Sequence, residues 1–136
     1  MKQACAVLAP LEMGCAVATP GFNLPDRSVF HALVPHDLAD REAEEQRRRA
    51  ANAILKLAAE THVQSLSMPP IGTGRIMSEN EVAADIIIKA LNVDAPSLAP
   101  ELRRLTICLP ALSLAHGFDK AQQLNDPNDQ RPKVVN

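Results

Sequence analysis

Leu-Ser-Met-Pro-Pro-Ile-Gly-Thr-Gly-Arg-Ile-Met-Ser, residues 66–78, is the stretch whose reading decides the fold of this chain. A strand-like apolar run from Val63 to Met68 enters a loop, Pro69 to Arg75, that holds Gly72 and Gly74. The loop feeds an amphipathic helix whose start is marked by Ser78 and Glu81, at the spacing of a capping box. Strand, glycine-containing turn and helix N-terminus together suit a phosphate or diphosphate. Backbone N–H groups converge on the anion, the helix dipole favours negative charge, and glycine removes the Cβ that would keep the ligand off the backbone.

The loop is neither of the two best-known phosphate loops. A Walker A loop needs Gly-x-x-x-x-Gly-Lys-Ser/Thr, whereas Arg75 follows Gly74 without that spacing or hydroxyl. A dinucleotide fingerprint needs Gly-x-Gly-x-x-Gly, and Met77 occupies the third glycine position. On these residues alone, a tight strand-to-helix turn that binds nothing is an equal alternative.

Composition narrows the classes. The 136 residues make one domain with enough apolar content, 46%, for a core. A formal net charge of −2 gives no broad positive field for nucleic acid, and 2% aromatics without Trp or Tyr gives no stacking platform for bases. Cys5, Cys15 and Cys108 are odd in number and widely spaced, as expected for reduced, mostly buried thiols in a cytoplasmic protein. No apolar run reaches membrane-spanning length, so no membrane partner is expected.

Outward from the loop, the pattern alternates strand and helix. Residues 2–13 read as a helix end or an irregular lead-in. Cys15 to Thr19 reads as a short strand ended by Pro20-Gly21, and Ser28 to Val34 as a second strand stopped by Pro35. Asp37 or Asp40 caps a long helix to Glu60, with Ala50, Ala51, Ile54, Leu55 and Ala58 as its apolar stripe. The Arg47-Arg48-Arg49 run reads as a solvated face neutralised by Glu44 and Glu45. Val63 to Met68 reads as a strand covered on both faces. A helix over 79–92 buries Val82, Ala83, Ile86, Ile87, Ala90 and Leu91, a Pro-containing loop spans 94–100, and Leu105 to Leu109 forms a last strand. A short helix over 116–124 and a disordered tail over 125–136 complete the expectation, giving a module over 1–124. Such alternation predicts an α/β layered sheet, parallel at its centre, with ligands beyond the carboxyl ends of its strands.

Two stretches at the right separation resemble the macro domain superfamily. Residues 14–35, Gly-Cys-Ala-Val-Ala-Thr-Pro-Gly-Phe-Asn-Leu-Pro-Asp-Arg-Ser-Val-Phe-His-Ala-Leu-Val-Pro, match its glycine, its short strand ending Thr-x-Gly, its leucine turn and its strand with a His. A long helix and then Pro69 to Gly74, Pro-Pro-Ile-Gly-Thr-Gly, match its following segment, so the likeness spans about residues 11–112. The resemblance implies a three-layer α/β/α fold with a mixed, centrally parallel sheet. It implies binding of ADP-ribose, in a family that includes ADP-ribosyl hydrolases and O-acetyl-ADP-ribose deacetylases. Ile71, Gly72, Thr73, Gly74, Arg75 and Ile76 then surround the diphosphate and distal ribose. Backbone N–H groups do most of the binding there, and the Thr73 hydroxyl adds a hydrogen bond. The resemblance also makes His31 a packed, hydrogen-bonded structural imidazole.

The departures bear on mechanism. The family's initial strands, its Asn-Ala-Asn segment and its glycine-rich loop find no match here, and the five glycines form no run. The chain therefore reads as N-terminally shortened, with half the ligand cradle and the catalytic segment missing. Gly-Phe-Pro after the loop is replaced by Arg75-Ile76-Met77-Ser78, and the aromatic near the last strand by small or apolar residues around Pro110 to Leu112. Catalytic residues are unassigned: Glu79 and Glu81 fit helix-start roles, His36 and His62 sit at element boundaries, and Cys108 reads as a small hydrophobe. His31 and His36 lack a third ligand, so neither a metal nor another cofactor is expected. Missing strands leave an edge or apolar face uncovered, which predicts a homo-oligomer or a complementing chain. A split or degenerate domain acting as an interaction module is the alternative to ADP-ribose binding.

Overall fold

The computed structural model of the chain describes residues 2–34, 41–71 and 80–109. A short helix α1 (Lys2–Val7) precedes β1 (Ala16–Pro20) and β2 (Ser28–Ala32). The long helix α2 (Arg41–Glu60) leads to β3 (Ser65–Met68), then to α3 (Asn80–Lys89). A π-helical turn (Ala90–Asp94) and α4 (Ala95–Leu98) follow, and β4 (Arg104–Ile107) ends the described part.

β1 and β2 form an antiparallel hairpin in which Val17 faces His31 and Thr19 faces Val29. The chain reverses at the expected Pro20-Gly21 signal, where Gly21 N–H donates to Arg27 C=O at 2.9 Å. Adjacent residues of β2 point to opposite faces. His31 meets Cys5 of α1 on one side, and Phe30 packs on the cluster of Leu55, Ala58 and Ala99 on the other. The hairpin is thus a middle layer between α1 and α2.

The stripe expected on α2 is buried throughout: Ala50, Ala51, Ile54, Leu55 and Ala58 are all between 0% and 7% exposed. Each large apolar side chain so buried contributes about 1.5–3 kcal/mol relative to an exposed one. Arg47 corrects the reading of its run. It lies on the same stripe, three and four residues before Ala50 and Ala51, and is 1% exposed, while Arg48 and Arg49 are exposed. The Asp37 and Asp40 caps lie outside the described residues.

α2 ends in a Schellman closure. His62 N–H donates to Ala59 C=O at 3.1 Å and Val63 N–H to Ala58 C=O at 3.0 Å. His62 takes the left-handed position with φ 52°, and Val63 packs back on Ala58. That closure turns the chain directly into β3.

β3 pairs with β4 in parallel, Leu66 beside Leu105 and Met68 beside Ile107. These four side chains share one face and pack on Ala84, Ile87 and Ile88 of α3. The expectation of a strand covered on both faces is corrected, because Ser65 and Ser67 alternate with Leu66 and Met68 and are exposed. On α3 the buried positions are Ala84, Ile87 and Ile88, followed by Ala90; the side chains of Val82, Ala83 and Ile86 lie outside the description. The loop expected over 94–100 is largely helical, since Pro96 falls in the first turn of α4, where a missing N–H costs nothing. The helix over 116–124 and the tail also lie outside the described residues.

Among the described residues the strands pair as β1–β2 and β3–β4, without a ladder joining β2 to β3. One helix layer spans both pairs: α2 packs on β1 and β2 and touches α3, and Leu91 and Leu102 border both apolar clusters.

Candidate functional site

The glycine loop leaves the carboxyl end of β3. Cys108 N–H donates to Met68 C=O at 2.8 Å, which ties the last residue of β3 to the end of β4. Pro69 is exposed, Pro70 is buried, and Ile71 packs against the Met68–Ile107–Ile87 core. The start of the loop is therefore anchored by an apolar side chain on a rigid parallel pair, and the chain re-enters a helix at Asn80. Of the expected site residues, Ile71 is described; Gly72, Thr73, Gly74, Arg75 and Ile76 lie outside the described residues, as do Ser78 and Glu79.

Residues weighed as bases or nucleophiles sort by position. His62 precedes β3, and its Nδ1 sits 3.2 Å from Glu101 Oε2, which precedes β4. Both belong to the amino end of the parallel pair, opposite the loop, and both are exposed. His62 is thus a helix terminator carrying a surface hydrogen bond to Glu101. His31 is hydrogen bonded, as expected: its Nε2 lies 2.9 Å from Thr19 Oγ1 and 3.8 Å from Cys5 Sγ. His36 lies outside the described residues.

The cysteines need a correction. Cys5 and Cys15 are half-buried free thiols, whereas Cys108 is free and exposed, since it follows the last residue of β4 and points away from the α3 face. Among the described residues, no group of three or more His, Cys, Asp and Glu gathers to hold a metal ion. No described helix is long and apolar enough to cross a membrane.

Known proteins share this arrangement. A macro domain protein of Cupriavidus necator is 35% identical over 111 residues, covering 78% of this chain and 64% of that one. The bovine ADP-ribose glycohydrolase MACROD1 is 30% identical over 107 residues, covering 77% of this chain and 33% of that one. The chain thus spans less than two thirds of these curated relatives. Among solved structures, the macro domain of ganglioside induced differentiation associated protein 2 superposes with a TM-score of 0.80 at 21% identity, covering 94% of this chain and 64% of that one. The Oceanobacillus iheyensis macrodomain with ADP superposes with a TM-score of 0.78 at 21% identity, covering 90% of this chain and 67% of that one. The α/β/α layering and the glycine loop beyond a parallel strand agree with a family model, described as Macro domain, that matches residues 1–87, and on that ground the chain belongs to the macro domain family.

Proposed function

We propose that the chain binds ADP-ribose or a related nucleotide diphosphate through residues 69–75. The observation that carries this reading is the anchoring of Ile71 at the carboxyl end of a parallel strand in a macro domain chain. In this reading the backbone N–H groups from Ile71 to Ile76 hold the diphosphate, Gly72 and Gly74 let it approach, and Arg75 adds positive charge. The kinship of the bovine relative, an ADP-ribose glycohydrolase, and of a macrodomain solved with ADP supports the same ligand class.

Calorimetric titration of the purified chain with ADP-ribose tests the proposal, with Gly74→Glu as control. Glutamate adds both a side chain and a negative charge where the diphosphate belongs. Saturable heat that Gly74→Glu abolishes supports the reading. Absence of heat at millimolar ligand, from a chain shown to be folded, overturns it. Hydrolysis of ADP-ribosylated protein is assayed on the same sample.

A second reading, an interaction module that works only with a partner supplying the remainder of a domain, is favoured by strand pairs that no ladder joins among the described residues.

A further inference from the structure

Cys5 and His31 are 26 residues apart in the chain and meet between α1 and the hairpin, with Cys5 Sγ 3.8 Å from His31 Nε2. The same nitrogen is 2.9 Å from Thr19 Oγ1. Val17 stands opposite His31 in the hairpin, so Thr19, two residues further along β1, lies on the His31 face. A thiol, an imidazole and a hydroxyl thus converge on one ring nitrogen beneath α1. None of the three belongs to residues 69–75, so ADP-ribose binding as proposed above does not use them.

Each group brings a distinct capacity. A thiol becomes a strong nucleophile when its proton leaves, and an imidazole nitrogen within hydrogen-bond reach removes that proton. The tautomer with its proton on Nδ1 leaves the Nε2 lone pair as acceptor for the Cys5 S–H. A hydroxyl donates to that lone pair, or accepts from the N–H that replaces it, by rotating about its C–O bond. Thr19 is 2% exposed, so packing keeps this hydroxyl against the ring while the proton comes and goes.

The chain also carries its own standards of comparison. Cys5 and Cys15 are half-buried free thiols, and Cys108 is free and exposed. Accessibility alone ranks Cys108 as the first to react. Among the described residues, Cys5 is the thiol with an imidazole at hydrogen-bond distance.

We infer that Cys5 is a modification site, at which the thiol, with His31 as its general base, takes up one half of a low-molecular-weight disulfide. Cys5 Sγ attacks one sulfur of the reagent and forms a new S–S bond while His31 Nε2 takes the thiol proton. The S–S bond of the reagent breaks, and its electron pair stays on the departing sulfur. The imidazolium then returns the proton to that sulfur. Cys5 sulfur is oxidised, the departing sulfur is reduced, and His31 ends as it began. The products are a mixed disulfide on Cys5 and one free thiol, so the disulfide is the sole oxidant required.

The test incubates the folded full chain with oxidised glutathione, quenches with acid at intervals, and follows each cysteine by peptide mass spectrometry. Cys5 is expected to form the mixed disulfide about tenfold or more faster than either Cys108 or Cys15. In urea the three thiols should react at rates within about threefold of one another. Reaction at Cys5 no faster than at Cys108 in the folded chain overturns the inference. A preference for Cys5 that survives in urea also overturns it, by tracing the rate to local sequence. His31→Gln separates chemistry from packing. Loss of the base slows Cys5 by about tenfold or more, whereas mere loosening of α1 exposes the thiol and quickens it. A Cys5 rate that is unchanged or raised in His31→Gln overturns the inference. Should that variant fail to fold, the ratio of Cys5 to Cys108 in the folded and urea-unfolded parent chain decides the matter.

Discussion

Thr19 Oγ1 and His31 Nε2 stand 2.9 Å apart, on diagonal positions of the β1–β2 hairpin, with Cys5 Sγ 3.8 Å from the same nitrogen. One imidazole therefore links both strands of the hairpin to the helix above them. Thr19 is 2% exposed, so its hydroxyl has given up water for this single ring.

Removing the hydroxyl and removing the ring have different costs. Thr19→Val takes away one hydrogen bond at nearly constant volume and is expected to destabilise by about 0.5–1.5 kcal/mol. His31→Leu leaves the Thr19 hydroxyl buried without a partner and is expected to cost more, about 1–3 kcal/mol. Urea unfolding of both variants and of the double variant checks this. A double variant as stable as Thr19→Val alone would show that the histidine acts only through the threonine.

Neighbouring arginines of α2 should respond very differently to truncation. Arg47 is 1% exposed and fills space beside Ala50 and Ala51, whereas Arg48 extends into solvent and meets Glu45 at 3.3 Å. Arg47→Ala removes a large buried side chain and is expected to destabilise by about 2–5 kcal/mol. Arg48→Ala loses an exposed i,i+3 pair and is expected to change stability by less than about 0.5 kcal/mol. Denaturant midpoints of the two variants provide the comparison.

These two cases show what the amino-acid order discloses. The stripe from Ala50 to Ala58 was legible because 3.6-residue spacing of apolar side chains has few other meanings. Arg47 shares that spacing, yet its charge and its arginine neighbours disguise a buried position as part of a solvated run. Ser65 and Ser67 mislead in the opposite way: the strand reads as apolar, while strict alternation exposes both serines and leaves one face bare. Pro96 looks like a helix breaker but sits in the first turn of α4, because a proline's effect depends on its place in the turn. Ile71 could be placed in the loop from its motif, whereas its packing against the Met68 core required the third dimension. Register and hydrogen-bond direction, which identify the groups that face outward, arise from pairing between distant segments.

Gly21 occupies a position that excludes a side chain. A Cβ built there meets Asp26 C=O oxygen at 1.8 Å, and that oxygen belongs to the backbone of the turn, so it cannot swing aside. Gly21→Ala is expected to destabilise by about 1–3 kcal/mol through displacement of the hairpin turn. Thermal unfolding followed by circular dichroism measures it, and Ala32→Gly at the other end of β2 serves as a propensity control.

His62 offers the reverse change. It holds φ 52° at the Schellman position of α2, where a side chain is strained and glycine is not, and it is exposed. His62→Gly is expected to stabilise by about 0.5–1 kcal/mol, because relief of the left-handed strain outweighs the exposed pair with Glu101. A rise in the denaturant midpoint with an unchanged slope is the expected result. The same variant leaves ADP-ribose titration unchanged, since His62 lies at the amino end of the parallel pair and the loop at its carboxyl end.

Thr73→Val separates the two contributions assigned to the loop. If backbone N–H groups carry the diphosphate and the hydroxyl contributes one further hydrogen bond, the variant should keep saturable binding. Loss of one such bond is worth about 1 kcal/mol, which weakens the ADP-ribose dissociation constant by roughly fivefold. Gly74→Glu acts on the backbone cradle itself and should abolish the signal. A Thr73→Val variant as inert as Gly74→Glu would move the weight of recognition from main chain to side chain. Calorimetry on the two variants, each first shown to unfold like the parent chain, reads that balance directly.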